Sequence, residues 1–189
     1  IYVGSDAGTF YAVTPAGTMS FAFRDVSFAR VTSGAAVGSS VFFGVATPQG
    51  QSLGFALRSD RSSWWSVPAS GRLDAAPALS QSGNSVYYAQ SGSASFNGAL
   101  AVDVAQRAAQ WQSTTPQANA SDALVDAAGT LYYGAQDGTL RALNPDKSEK
   151  WNVLVAAGKS LGSPVLGAGG VMYVVNTTDQ RLVSIQPAQ

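Results

Sequence analysis

The chain has 189 residues, with 11 Lys plus Arg against 11 Asp plus Glu, and neither His nor Cys. At 12% charged residues, about half the usual quarter, it offers no basic stripe for phosphates, which argues against nucleic acid as a partner. Without Cys or His there is no disulfide frame, thiolate nucleophile, imidazole base or ordinary zinc site.

The chain opens on Ile1-Tyr2-Val3-Gly4, an apolar-aromatic strand with no Met and no charged-then-apolar leader, as expected of a fragment or a processed chain. The same pattern returns at 41–44, 86–89, 131–134 and 171–174. Its aromatics Tyr2, Phe42, Tyr87, Tyr132 and Tyr173 are spaced by 40, 45, 45 and 41 residues, a period that signals a repeat architecture. After each copy come a turn and a second strand, at 8–13, 53–57, 98–102, 138–143 and 181–185, which makes a hairpin. Further apolar stretches with small residues precede the hairpins, for instance at 76–79, 123–125 and 163–166. No apolar run approaches the roughly 18 residues of a membrane-spanning helix, so no transmembrane segment is expected.

A second signal sets the register. Ala12 is followed by Phe21, Ala56 by Trp65 and Ala142 by Trp151, each nine residues on, and Ala101 by Trp111 after ten. Between the partners lies turn chemistry such as Thr14-Pro15-Ala16-Gly17 and Asn144-Pro145-Asp146-Lys147, where Pro sets φ and a left-handed residue follows two places later. The aromatic therefore sits on a further strand, and the unit has four antiparallel strands. Such a unit every 40 to 45 residues is a propeller blade, whose faces are buried only by stacking on neighbours. The fold class expected is all-β, a β-propeller of about five partial or complete blades, at 1–23, 24–67, 68–114, 115–153 and 154–189. That gives 3+4+4+4+3 strands. A piece of a larger propeller is favoured; a self-contained five-bladed ring and an open array that closes by pairing with another chain are the alternatives.

These repeats resemble the pyrroloquinoline-quinone-like (quinoprotein-type) β-propeller family, whose signature is Ala-x-Asp, a Gly turn, and Trp about ten residues from the Ala. Ala101-Val102-Asp103 through Trp111 carries it best, and Ala142 through Trp151 is a variant with Pro-Asp in the turn. The resemblance implies that Trp65, Trp111 and Trp151, with Phe21 in the first unit, dock against Ala12, Ala56, Ala101, Ala142 and neighbouring turns to knit blade to blade. The family's turn Gly survives as Gly17, while Arg61, Arg107 and Lys147 take its place elsewhere and must adopt a left-handed conformation or reshape the turn.

Paired aromatics such as Trp64-Trp65, Tyr87-Tyr88 and Tyr132-Tyr133 are expected in the core, one of each pair on either sheet face. Phe96, outside the repeat pattern, is the candidate exposed aromatic contact. Quinone-dependent enzymes of the family use a calcium ion, acidic ligands and commonly a Cys pair. This chain has no Cys, and its turn carboxylates Asp6, Asp137, Asp146 and Asp179 suit local hydrogen bonding. No catalytic residue, metal or cofactor is expected. Neighbouring Lys159 and Ser160 do not face one another as a nucleophile pair would. Asn119-Ala120-Ser121 and Asn176-Thr177-Thr178 match glycosylation acceptors only by a short pattern.

Loops from the second to the third strand and loops between blades emerge on one face, where binding function usually lives. The between-blade loops supply Arg24, Asp25, Arg30, Arg72, Asp74, Asp122 and Lys159 as candidates. The function expected is a non-catalytic binding or scaffold module of a periplasmic or extracellular bacterial protein, with another protein or envelope component as partner and self-association through open blade edges as a further route. A fragment of a quinone-dependent dehydrogenase and an assembly factor like the propeller of the outer-membrane barrel-assembly machinery are the alternatives.

Overall fold

The structure, a computed structural model, describes residues 1–92, 97–116 and 121–186. Its first sheet is β1 (Tyr2–Gly4), β2 (Thr9–Val13) and β3 (Met19–Arg24). The second is β4 (Arg30–Val37), β5 (Ser40–Ala46), β6 (Ser52–Arg58) and β7 (Trp64–Ala69). The third is β8 (Ala78–Leu79), β9 (Ser85–Gln90), β10 (Gly98–Asp103) and β11 (Ala108–Thr114), and the fourth β12 (Leu124–Val125), β13 (Leu131–Gly134), β14 (Thr139–Leu143) and β15 (Glu149–Leu154). The fifth holds β16 (Val165–Leu166), β17 (Met172–Asn176) and β18 (Arg181–Ile185). Consecutive strands are neighbours and every pairing is antiparallel. Among the described residues the one other regular element is a 3-10 turn at Ala168–Gly170. The fold is all-β, a partial β-propeller.

The Ala-to-aromatic spacing turns out to be a cross-strand pair. Ala12 lies opposite Phe21, Ala56 opposite Trp65, Ala101 opposite Trp111 and Ala142 opposite Trp151. A small residue beside a large one leaves room for the ring to cover the strand next to it. In the first, third and fourth sheets the outer strand bulges just before the ring, so that Val13, Val102 and Leu143 pair with Met19, Ala109 and Glu149 and skip a residue. In the second sheet the outer pairing of β6 with β7 keeps an unbroken register, Leu57 opposite Trp64.

Because strand side chains alternate, each aromatic doublet splits between two seams. Phe43 joins Phe10, Phe28 and Phe55 between the first and second sheets, whereas Phe42 joins Tyr88 and Leu100 between the second and third. Tyr87 and Tyr133 fill the third seam, and Tyr132 packs with Leu161, Met172 and Val174 in the fourth. Sheets approach closely where glycine allows it: a methyl group on Gly54 would crowd the Tyr88 ring at 3.1 Å. Fully burying each such ring stabilises by about 1.5–3 kcal/mol. Trp64 departs from the expected core placement. It stacks on Phe55 with ring centroids 5.1 Å apart but stays 47% exposed, at the outer rim of the seam between the first and second sheets.

The seams stop at both ends. Val3 of the first sheet is 49% exposed and Leu182 of the fifth 68%, so the five described sheets do not close into a ring on themselves, contrary to one of the alternatives above. An apolar face needs a facing sheet, and neither terminal sheet supplies it to the other.

Rings also reach the next sheet's turn. Trp111 donates its indole N–H to the Pro145 carbonyl at 2.7 Å, and the Arg61 guanidinium lies 5.4 Å from the centre of the Phe21 ring. Arg61, Arg107 and Lys147 all adopt positive φ, at 61°, 55° and 68°, like Gly17 at 80°. The repeat thus imposes its turn on residues that disfavour it, at about 1–2 kcal/mol each.

Replacing Lys147 or Arg107 by Gly is expected to stabilise the protein by about 0.5–1 kcal/mol, the relief being partly offset by the looser unfolded chain. Arg61→Gly should be close to neutral, since it also loses a cation–π contact of about 0.5–1 kcal/mol. Urea unfolding midpoints at equal slope measure both. By the same assay Trp111→Phe, which keeps the ring but loses the donor, should cost about 1 kcal/mol.

Candidate partner-binding face

Up-and-down sheets place the second-to-third strand loop at the same end as the connection to the next sheet, and the backbone ties the two together. Arg72 and Ser91 exchange main-chain hydrogen bonds at 2.6 and 3.0 Å, and Leu161 forms an isolated antiparallel bridge to Asn176. The Val31 N–H donates to the Ser5 carbonyl of the preceding sheet at 3.0 Å. This end of the arc is therefore built from backbone that is already paired, with side chains free to face outward.

The charged candidates separate into three groups. Asp74 accepts from Arg72 at 2.6 Å and from Arg30 at 3.5 Å, an exposed pairing that orders side chains more than it stabilises. Asp122 spans three sheets: its Oδ1 accepts from the Ala76 N–H at 2.6 Å and its Oδ2 from the Ser163 hydroxyl at 2.9 Å. Lys159 pairs with Asp179 at 3.4 Å, and Asp25 accepts from the Ser27 N–H and hydroxyl at 2.8 and 2.6 Å, a local turn. Arg24 closes β3 and Arg30 opens β4, so both stand on strand ends and not in the loop, because antiparallel pairing runs further than the apolar pattern indicates. Phe96 lies outside the described residues.

Arg72, Asp74 and Asp122 share one polar groove of about 560 Å³. Ser91, Gln136 and Thr177 complete its walls, with Ser121, Ser160 and Ser163. Sequence reasoning missed this set, although a signal existed: 91, 136 and 177 each sit four residues after Tyr87, Tyr132 and Tyr173. Close by, Gln90 is fully buried and its side-chain oxygen accepts from the Gly71 N–H at 3.0 Å, fixing the loop that carries Arg72. Hydroxyls, an amide and a mixed-sign charge cluster can recognise polar backbone and side-chain groups. Among the described residues no group of three or more His, Cys, Asp or Glu is placed to hold a metal ion. The carboxylates Asp137 and Asp146 bond Thr139 and Ser148 in their own turns. Asn176 is buried and bonds Asp179 and the Thr178 N–H, which leaves it no access as a glycan acceptor.

The fold defines the class: a β-propeller-type chain of four-stranded antiparallel blades. No protein-family model matches the chain. It is similar in structure to BamB from Moraxella catarrhalis, with a TM-score of 0.69 and 20% identity over 96% of this chain and 56% of that one. In sequence it is 47% identical over 62 residues to the uncharacterised protein YxaL of Bacillus subtilis (strain 168), a match covering 31% of this chain and 15% of that protein. The chain thus spans little more than half of the first and a small part of the second. Among the described residues no helix is long and apolar enough to cross a membrane.

Asp122→Ala is expected to lower stability by about 1–2 kcal/mol through loss of two acceptor positions. Asp122→Asn should cost less than half as much, because its amide oxygen still accepts from Ala76 and its amino group can donate to the Ser163 hydroxyl. Chemical unfolding of the two variants side by side provides the comparison.

Proposed function

We propose that this chain is a non-catalytic β-propeller module of the quinoprotein-like repeat type, a rigid platform that binds a protein partner of a bacterial envelope or secreted system. The observation that carries this reading is the division of labour among side chains. Apart from the half-exposed Trp64, the paired aromatics that could stack on a sugar or quinone are consumed by the seams, while mixed charges and hydroxyls from three sheets converge in one groove at the loop end. Docking of the outer-strand rings at Phe21, Trp65, Trp111 and Trp151 would limit the splay of the sheets away from the axis, while Asp122 ties the groove's walls together.

Residues for a quinone and its calcium do not fit here. The groove's carboxylates Asp74 and Asp122 are committed to arginines and to inter-sheet hydrogen bonds, and no Cys exists in the chain. An assembly-factor role of the outer-membrane type is a narrower second reading, favoured by the likeness to BamB over nearly the whole chain.

The test is site-specific photo-crosslinking in bacterial envelope extract, with the probe at Ser91 or Gln136 in the groove and at Arg107 on the opposite end. Adducts are expected from the two groove positions, reduced at least fivefold by the pair Arg72→Glu and Asp74→Lys. Equal labelling from Arg107, or adducts indifferent to the charge swap, would overturn the reading. Dye reduction on adding pyrroloquinoline quinone with calcium would replace it by the dehydrogenase.

A further inference from the structure

Equivalent places in the repeat show one seam filled differently from the others. Cross-strand partners in the second, third and fifth sheets are Phe43 with Phe55, Tyr88 with Leu100 and Val174 with Val183. Phe23, Val67 and Val153 of the preceding sheets pack on them. In the fourth sheet the same pair is Tyr133 with Arg141. Ser113, opposite Ala99 as Val67 is opposite Gly54, stands where the other seams carry an apolar side chain. A hydroxyl and a guanidinium together thus replace apolar groups in the seam between the third and fourth sheets.

The charge placed there is compensated. Arg141 has a side chain only 14% exposed, and its terminal nitrogens lie 3.3 Å from Asp137 and 3.9 Å from Glu149. Its Nε and the Tyr133 hydroxyl oxygen are both buried, and neither makes a hydrogen bond among the described residues. Of the other buried side-chain nitrogens and oxygens described, only Gln90 Nε2 shares that condition. Burial pushes the Tyr133 hydroxyl up to about 12, so at neutral pH it is a donor, as a guanidinium Nε always is. Ser113 neighbours the Tyr133 oxygen and accepts from the Ala99 N–H at 3.1 Å. Buried donors require an acceptor, and two of them stand here on directly opposite residues.

We propose that this seam binds one internal water molecule, whose oxygen accepts from Arg141 Nε and the Tyr133 hydroxyl and which donates in turn to the Ser113 oxygen. Local charge selects the ligand. One guanidinium against two carboxylates leaves the set negative, which disfavours an anion, while the inward-facing donors disfavour a cation. Water is the small neutral acceptor that satisfies both conditions. Ala99 and Ala101, packed in the same seam, keep the facing wall small. The site stands apart from whichever partner the loop-end groove takes, yet it braces that groove, because Asp137, held by Arg141, follows Gln136 of the groove wall.

The test is water-selective nuclear Overhauser NMR on the 189-residue protein. Contacts with a long-lived water are expected at the Ala99 and Ala101 methyl groups and the Tyr133 ring, and none at Leu100 or Phe55, whose seams are apolar. The double variant Ser113→Val with Arg141→Leu, which copies Val67 and Leu100 of the neighbouring seam, should fold and lose these contacts. Tyr133→Phe should raise the unfolding equilibrium constant about two- to tenfold, the loss of one hydrogen bond to the water. A hydroxyl facing no ligand would on removal lower that constant instead. No water contact at Tyr133, or a Tyr133→Phe protein more stable than its parent, would overturn the proposal. So would chloride line broadening that Arg141→Leu abolishes, which would make the occupant an anion.

Discussion

The structure rests on one geometric requirement: a side chain small enough to lie beneath a ring on the adjacent strand. Ala12, Ala56, Ala101 and Ala142 face Phe21, Trp65, Trp111 and Trp151 directly. That pair fixes the register of the outer hairpin, and a one-residue slip would turn every aromatic to the wrong face. With the register set, Phe42 and Phe43, Tyr87 and Tyr88, and Tyr132 and Tyr133 divide between consecutive seams. Seams in turn set the distance between sheets, and so the positions of the loops at their ends.

The same constraint explains why unfavourable residues persist in the outer turns. Arg61, Arg107 and Lys147 occupy the left-handed backbone that Gly17 occupies without strain in the first sheet's outer turn. The Arg61 and Lys147 turns close with a main-chain hydrogen bond, to the Arg58 carbonyl at 2.8 Å and the Asn144 carbonyl at 2.9 Å, and turn geometry decides where the outer ring lands. Arg61 shows a return for the strain. Its guanidinium lies over Phe21, the ring that stands where other sheets have an indole, and adds an electrostatic contact to a side chain that has no N–H to donate.

Fold was legible because periodicity reports burial, and burial decides sheets. The spacing of Tyr2, Phe42, Tyr87, Tyr132 and Tyr173, with Ala-to-aromatic intervals of nine or ten, carried strand order and register together. The candidate site was legible only in part. Arg72, Asp74 and Asp122 come together in the groove, whereas Asp25 serves its own turn and Lys159 pairs with Asp179. Local pairing of a charge depends on which neighbours the fold brings near, and composition is silent on that. Ser91, Gln136 and Thr177 escaped notice because short polar side chains in loops look like ordinary solvated residues until the repeats are superposed.

Groove and seams are mechanically linked through Asp122, whose carboxylate joins the third and fifth sheets from its place on the fourth. Thr32 does similar work one seam earlier, its hydroxyl donating to the Leu73 carbonyl at 2.6 Å. These inner links have less lever arm than the outer rings, so a loosened ring would change the splay of the sheets while leaving the axis side joined. The loop-end groove sits near that joined side. A scaffold of this kind can therefore exchange outer-strand residues over evolution with limited effect on its groove, whereas changes at Asp122 or Ser163 act on seam and groove at once.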